Sequence, residues 1–268
     1  MTIPTLLRYP GGKSRARNII LPMIPDDVNT VLSPFFGGGS IELSLLDKGL
    51  RIQASDGFFV LTVFWNTVIT DGEALADALE PLLHHVDKTV FKDMQHALID
   101  CERSVHTDDP IGIAKSFYVV NRCSFSGETL SGGFSQSSSN YRFTQSSINR
   151  IREFSSMNDG SLLSKVEHAD YETILSSANA DMMFLDPPYC LQNSKNNLYG
   201  IKGNLHKGFD HQQFHDMVMD AKIPFLLTYN NCAYIRELWH DCLIKEPSWA
   251  YGMNATKKSN ELIITKGL

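Results

Sequence analysis

The stretch Thr30-Val31-Leu32-Ser33-Pro34-Phe35-Phe36-Gly37-Gly38-Gly39-Ser40 reads as a strand running into a glycine-rich loop, and Ile41 to Leu46 then carries apolar residues at helical spacing. Consecutive glycines let the backbone approach a ligand closely, and the helix start behind them favours an anion. Arg51 to Ser55 alternates in polarity and ends at Asp56, a second strand closing with an acid. An acid roughly 20 residues after such a loop typically accepts hydrogen bonds from ribose hydroxyls. The pair points to a nucleoside-containing cofactor. A plain βα turn followed by a surface Asp stays open beside it, because short glycine patterns recur by chance.

Further strands fit the same pattern. Met182-Met183-Phe184-Leu185 is a short apolar run ending at Asp186, as in a buried parallel strand with its functional residue at the carboxyl end. Pro224 to Tyr229 and Glu261 to Thr265 are two more. Strands alternating with helical stretches indicate a doubly wound α/β sheet. The middle differs. Gly72 to Asp100 is helical in pattern, with Leu75, Leu79, Leu82 and Leu83 on one side. Ser124 to Ser147 is rich in Ser and Gly, with Phe125, Phe134, Tyr141 and Phe143 interleaved, which suggests a surface element. The expectation is a sheet domain made of residues 1–66 and 161–268, with an inserted module over 67–160.

Composition limits the function classes. With 43% apolar and 20% charged residues in 268, the chain is ordinary globular protein. Five cysteines with no CxxC spacing argue against a disulfide framework or a zinc site, and no metal is expected. The N-terminus lacks a secretory pattern, and no apolar run reaches the roughly 20 residues that span a bilayer. A cytoplasmic protein without a membrane partner is expected. The net charge of -6 argues against nucleic acid. A local basic surface is what such binding needs, however. Lys115, Arg122, Arg142, Arg150 and Arg152 stand against a single acid, Glu128, in that stretch, and Arg8, Lys13, Arg15 and Arg17 form a second basic cluster.

Asp186-Pro187-Pro188-Tyr189 carries the chemistry. Two prolines fix φ twice and remove two N–H donors, so acceptors dominate locally: the Asp186 carboxylate and the backbone carbonyls. With the flat ring of Tyr189 beside them, they suit an exocyclic amine on a base. Holding both amine hydrogens localises the nitrogen lone pair, and a sulfonium methyl placed in line can then be attacked without a covalent enzyme intermediate. A proline-stiffened turn after a buried strand is the plainer reading. Tyr9-Pro10-Gly11-Gly12-Lys13 adds a second glycine turn, which is not a P-loop because the GxxxxGK[ST] spacing is missing.

These motifs, in this order, resemble the Dam-type (D12 class) N6-adenine DNA methyltransferases. The resemblance implies a Rossmann-like S-adenosylmethionine-dependent methyltransferase sheet with an inserted target-recognition domain, mainly helical plus a β-hairpin. It implies S-adenosylmethionine as methyl donor, double-stranded DNA as partner, and a target adenine flipped out of the duplex. By the same resemblance Asp186 to Tyr189 is the catalytic motif, with Tyr189 stacking on the flipped base and Asp186 also contacting the cofactor. Tyr9, Gly12 and Lys13 lie near the methionine part of the cofactor. Phe35, Gly37, Gly39 and Ser40 form its loop, Asp56 holds the ribose, and Asp170 and Tyr171 contact its adenine. Ser33 stands where relatives often carry Glu. Gly57 stands where a larger apolar residue is common, which leaves Phe58 for the ring contact.

Asn121 to Gly127 resembles the start of the recognition hairpin, with Arg122, Ser124 and Phe125 as DNA contacts. Phe125 would wedge into the duplex, and Arg142 on the second arm would read a guanine edge or a phosphate. The segment after Gly127 does not resemble the Dam segment that reads GATC, so the target sequence is open. Three other readings stay open: N4-cytosine methylation, where Ser more often precedes Pro-Pro-Tyr; methylation of RNA or a protein amide, where Asn usually replaces the Asp; and a non-enzymatic nucleotide- or DNA-binding module.

Overall fold

The computed structural model describes residues 5–190, 208–247 and 260–268. Seven strands form one sheet: β1 (Thr30–Ser33), β2 (Arg51–Asp56), β3 (Val166–His168), β4 (Met182–Leu185), β5 (Phe225–Asn230), β6 (Leu243–Lys245) and β7 (Glu261–Lys266). Their order is β3-β2-β1-β4-β5-β7-β6. The first five are parallel, whereas β7 runs antiparallel to both β5 and β6. The chain steps outward from β1 to β2 and β3, then returns to lay β4 against the other side of β1. The winding therefore reverses between β1 and β4, and loops leaving those two strands diverge. In open α/β sheets, a crevice at the carboxyl ends of such strands is where ligands bind.

The helices in chain order are α1 (Arg17–Ile20), α2 (Glu42–Leu46), α3 (Phe59–Leu79), α4 (Lys88–Ser104), α5 (Pro110–Cys123), α6 (Gln136–Arg142), α7 (Gln145–Met157), α8 (Tyr171–Ser176), α9 (His211–Asp220) and α10 (Ala233–Leu238). Side chains alternate across the sheet, as strand geometry requires. Val31, Met182, Phe184 and Leu226 join a core with α3, α4, α5 and α7. Leu32, Met183, Leu185 and Leu227 face the other way, onto Phe214 of α9 and Trp239 just after α10. The expected α/β sheet is present. β3 and β6 were not anticipated: each is three residues long with exposed positions, so neither shows an apolar run.

Helix α3 runs without a break through positions 66 and 67, where the sheet domain was expected to give way to the insert. Its backbone departs from helical geometry at Asp71. The N-terminal half serves both regions. Trp65 Nε1 donates to Gly37 O at 2.9 Å, reaching the glycine loop. Phe64 stacks on Phe117 and Tyr118 of α5, with ring centroids 5.3 and 5.9 Å away.

The expected hairpin is not formed. It is reduced to one antiparallel bridge between Ser124 and Phe134, with Phe125 N donating to Gly133 O and Ser135 N to Cys123 O. The serines that read as turn chemistry start helices instead. Ser135 accepts from Ser138 N to cap α6, and Thr144 and Ser147 form a capping box on α7. Arg142 therefore closes a helix rather than sitting on a strand arm.

Because one buried cluster joins the sheet to α3, α4, α5 and α7, Phe64→Ala is expected to lower the unfolding free energy by about 3–5 kcal/mol. Urea denaturation should show this as one cooperative transition. Two resolved transitions with only one affected would reveal separate cores.

Candidate active site

A cavity of about 470 Å³ opens at the crevice above β1, β2 and β4. That is within the roughly 300–1,000 Å³ typical of small-molecule sites. Every expected cofactor and catalytic position lines it: Tyr9, Gly12 and Lys13, then Phe35, Gly37, Gly39 and Ser40. Asp56, Gly57, Phe58, Asp170, Tyr171 and Asp186 to Tyr189 complete the wall. They come from five separate stretches of chain, brought together by the reversal of the sheet.

The glycine loop is built against the N-terminal segment. Gly37 and Gly39 take φ of +52° and +63°, where side chains are strained. A Cβ on Gly38 would lie 2.6 Å from Tyr9 Cβ, so the glycines seat Tyr9. Asp56 closes β2 and accepts from Gly37 N at 2.8 Å and from Phe58 N at 2.9 Å. Burial pushes its carboxyl up to about 6, against the pull of those two N–H groups. A carboxylate offers about four acceptor positions, so some capacity remains for a ligand hydroxyl. Gly57 leaves room beside Asp170, whose Oδ1 would lie 3.7 Å from an added Cβ. Phe35, Tyr171 and Phe214 form an aromatic cluster on that side, with centroids 5.3 to 5.8 Å apart. Phe58 lines the cavity while its ring packs on Phe117 at 6.0 Å.

Asp186 leaves β4 directly into the cavity. Thr228 Oγ1 on β5 donates to its Oδ1 at 2.6 Å, and Lys13 Nζ sits 2.8 Å from the carboxylate. Lys13 also donates to Gly11 O at 2.8 Å and lies 5.0 Å from the centroid of the Tyr189 ring. Lys13 N donates to Ser40 Oγ at 2.9 Å, which joins the two glycine turns. The far end of the motif is fixed by Asn230, whose side chain accepts from Cys190 N and donates to Cys190 O at 2.9 and 2.8 Å.

Several partners of this site were missed in the sequence. Thr228 is a polar residue inside the apolar run Pro224 to Tyr229. A buried hydroxyl needs a partner, and that was the available signal. Glu42, with 2% exposure, accepts from Ser33 Oγ at 2.7 Å and from Ile41 N at 3.2 Å. Ser33, which departs from the family pattern, thus supports a carboxylate carried by the next helix. Burial, and to a smaller extent the Asp186 charge, push Glu42 up to about 7. Glu261 Oε2 lies 4.0 Å from Lys13 Nζ; burial raises its carboxyl and Lys13 opposes this.

The expected DNA contacts fall into two groups. Phe125 is 80% exposed and Arg142 is exposed, as a contact surface needs; Tyr141, not singled out before, is 76% exposed. Arg122 and Ser124 are buried. Arg122 Nε donates to Arg142 O at 2.9 Å, and Ser124 Oγ donates to Asn121 O and accepts from Gly127 N. Both shape the loop from within rather than present themselves to a duplex. Burial lowers the affinity of Arg8 and Arg122 for their protons, and repulsion from Arg142 adds to this, so these cations crowd one face. Arg152 does not join them. It pairs with Glu73, Asp77 and Glu80 from α3 and the turn after it, at 2.5 to 2.7 Å. Among the described residues, no group of three or more His, Cys, Asp or Glu side chains is placed to hold a metal ion. No described helix is long and apolar enough to cross a membrane.

Comparison with known proteins bears on this site. The family described as D12 class N6 adenine-specific DNA methyltransferase matches residues 9–253. The chain is also similar to the Type II methyltransferase M.CviBI of Paramecium bursaria Chlorella virus NC1A. The two are 23% identical over 189 residues, which is 69% of this chain and 68% of the relative.

Glu42 holds its proton more tightly folded than unfolded. The stability it contributes is therefore complete below its ordinary value of 4.5 and is lost as pH rises through about 7. Glu42→Gln is expected to flatten that fall, read as urea midpoints across this range. Superimposable pH profiles for the two proteins would contradict the assignment.

Proposed function

The chain belongs to the D12 class N6 adenine-specific DNA methyltransferases, and from that premise we propose that it methylates the N6 amine of an adenine turned out of duplex DNA, with S-adenosylmethionine as methyl donor. The observation that carries this reading is the placement of Asp186-Pro187-Pro188-Tyr189 in the same cavity as the glycine loop and Asp56. The cavity fits the donor chemically. Asp56 has acceptor capacity for ribose hydroxyls, the side of Phe35, Phe58, Asp170 and Tyr171 suits a purine ring, and Tyr9, Gly12, Gly37, Gly39 and Ser40 suit the amino-acid part. When bound, S-adenosylmethionine supplies a methyl group activated by its sulfonium.

The chain's own groups then position the amine. Asp186 spends part of its acceptor capacity on Thr228 and Lys13. What remains, with the carbonyls of Asp186 and Pro187, accepts the amine hydrogens and concentrates the lone pair on nitrogen. Tyr189 offers a face for the base, which offsets part of the few kcal/mol that unstacking costs. Positioning and electrostatics suffice, and no enzyme nucleophile is required. The crowded cations at Arg8 and Arg142 supply phosphate attraction that the net charge hides. Phe125, exposed on that side, would enter the space left by the displaced base.

Transfer of radiolabelled methyl from S-adenosylmethionine to unmethylated duplex DNA is expected to fall by about 100- to 1,000-fold or more in Asp186→Ala. Binding of S-adenosylhomocysteine by the same variant should persist. Wild-type turnover in that variant would end the proposal. Phe125→Ala is expected to weaken DNA-dependent turnover by about tenfold, the loss of one stacking contact of 1–3 kcal/mol. A comparable loss of S-adenosylhomocysteine affinity would instead place Phe125 in the cofactor site.

A further inference from the structure

Residues 8–13 touch three parts of the molecule in succession. Arg8 meets the Phe125 loop: its guanidinium donates to Ser124 O at 2.9 Å, to Phe125 O at 3.1 Å and to Ser138 Oγ on α6 at 3.3 Å. Tyr9 is seated on Gly37 and Gly38 of the cofactor loop, and Lys13 reaches Asp186. The grip on the Arg8 backbone comes from one side chain. Asn121, at the end of α5 and 1% exposed, accepts from Arg8 N at 3.0 Å and donates to Arg8 O at 2.9 Å. The same amide donates to Gly127 O at 2.8 Å. Gly127 has φ +87°, and a Cβ there would come within 2.1 Å of Arg8 O, so loop and segment are in close contact. Asn121 thus satisfies three backbone groups from a buried position, two on the segment and one on the loop.

We infer that Asn121 is a positioning residue that couples the two binding sites: it holds the Phe125 loop and the Arg8-Tyr9 backbone as one body, so that duplex DNA and the methyl donor each strengthen the binding of the other. Asn121 touches neither ligand. It acts through Arg8 on the loop and through Tyr9 on Gly37 and Gly38. A duplex that fixes the Phe125 loop also fixes Tyr9, and a cofactor that fixes the glycine loop also fixes Arg8. Reciprocity is required thermodynamically, since both ligands draw on the same ordering. The inference rests on the methyl-transfer reading above.

The test is calorimetric titration of S-adenosylhomocysteine into the full chain, alone and saturated with unmethylated plasmid fragments. The wild type should bind at least about fivefold more tightly with DNA present. In Asn121→Ala that ratio should fall toward one, while the affinity without DNA changes less than about threefold and thermal unfolding stays cooperative. A residue of merely structural importance would weaken both affinities and leave their ratio. A folded variant that keeps the wild-type ratio, or a wild-type ratio of one, overturns the inference. Hydrogen exchange on the wild type keeps it testable should the variant fail to fold. S-adenosylhomocysteine alone should slow exchange of the Arg8 and Gly127 amides, and unchanged rates there overturn it. A wild type that binds no S-adenosylhomocysteine would bring down the methyl-transfer reading and this inference with it, whereas binding without coupling removes the inference alone.

Discussion

Lys13 is an ammonium group with 3% exposure. Taking such a group out of water costs several kcal/mol unless a carboxylate and further acceptors receive it. Asp186 and the Gly11 carbonyl do so, each at 2.8 Å. This pairing joins parts of the crevice that are distant in sequence. It ties the N-terminal glycine turn to the end of β4, leaves Tyr9 against the glycine loop after β1, and sets Arg8 against the loop that carries Phe125. Without Asp186, Lys13 would keep only weaker acceptors such as Gly11 O and the more distant Glu261, so this electrostatic contact holds the segment together with its short helix α1. The same pairing sets what Asp186 has left to offer a ligand, because Lys13 and Thr228 already use part of its carboxylate.

The distribution of charge follows from packing in a way no sum reveals. The net charge of -6 belongs to the chain, whereas a duplex meets one face. Arg8, Arg122 and Arg142 crowd together, and Arg122 is buried against the Tyr118 ring. Arg152, close to them in sequence, is spent on three acids of α3 and the following turn. The cationic surface is thus narrower than the sequence segment suggested, and it lies next to Phe125 and Tyr141.

Short elements were the least legible. β3 and β6 have three residues each and sit at the sheet edges, where half the positions meet water and no apolar pattern survives. The Ser/Gly-rich region read as a surface element, on which the resemblance placed a hairpin, because serine serves turns and helix N-caps alike. Which use prevails depends on whether the following turn finds an apolar surface, and Phe143, Ile148 and Ile151 find it in the core shared with α3 and α5. The boundary expected between residues 66 and 67 falls inside a continuous helix. α3 meets the glycine loop, α5 and α7 already through Phe64 and Trp65, and α7 again at Gly72, so its apolar pattern carries no discontinuity.

The sequence by itself determined the parallel strands β1, β2, β4 and β5, the glycine loop, the acid at the end of β2 and the Asp-Pro-Pro-Tyr motif. Each of these is a local pattern, in which periodicity, φ restriction or residue spacing carries the information within a few residues. What only the tertiary structure decided were the long-range pairings: Lys13 with Asp186, Thr228 behind it, Glu42 under Ser33, Arg152 with the acids of α3, and Asn121 across the Arg8 backbone and Gly127. In each of them a polar group, buried in all but the Arg152 cluster, has its requirement met by a residue distant in sequence or on another element. Which partner answers that requirement is set by how the sheet reverses and where α3 and α5 pack, and neither is encoded at the position of the group itself.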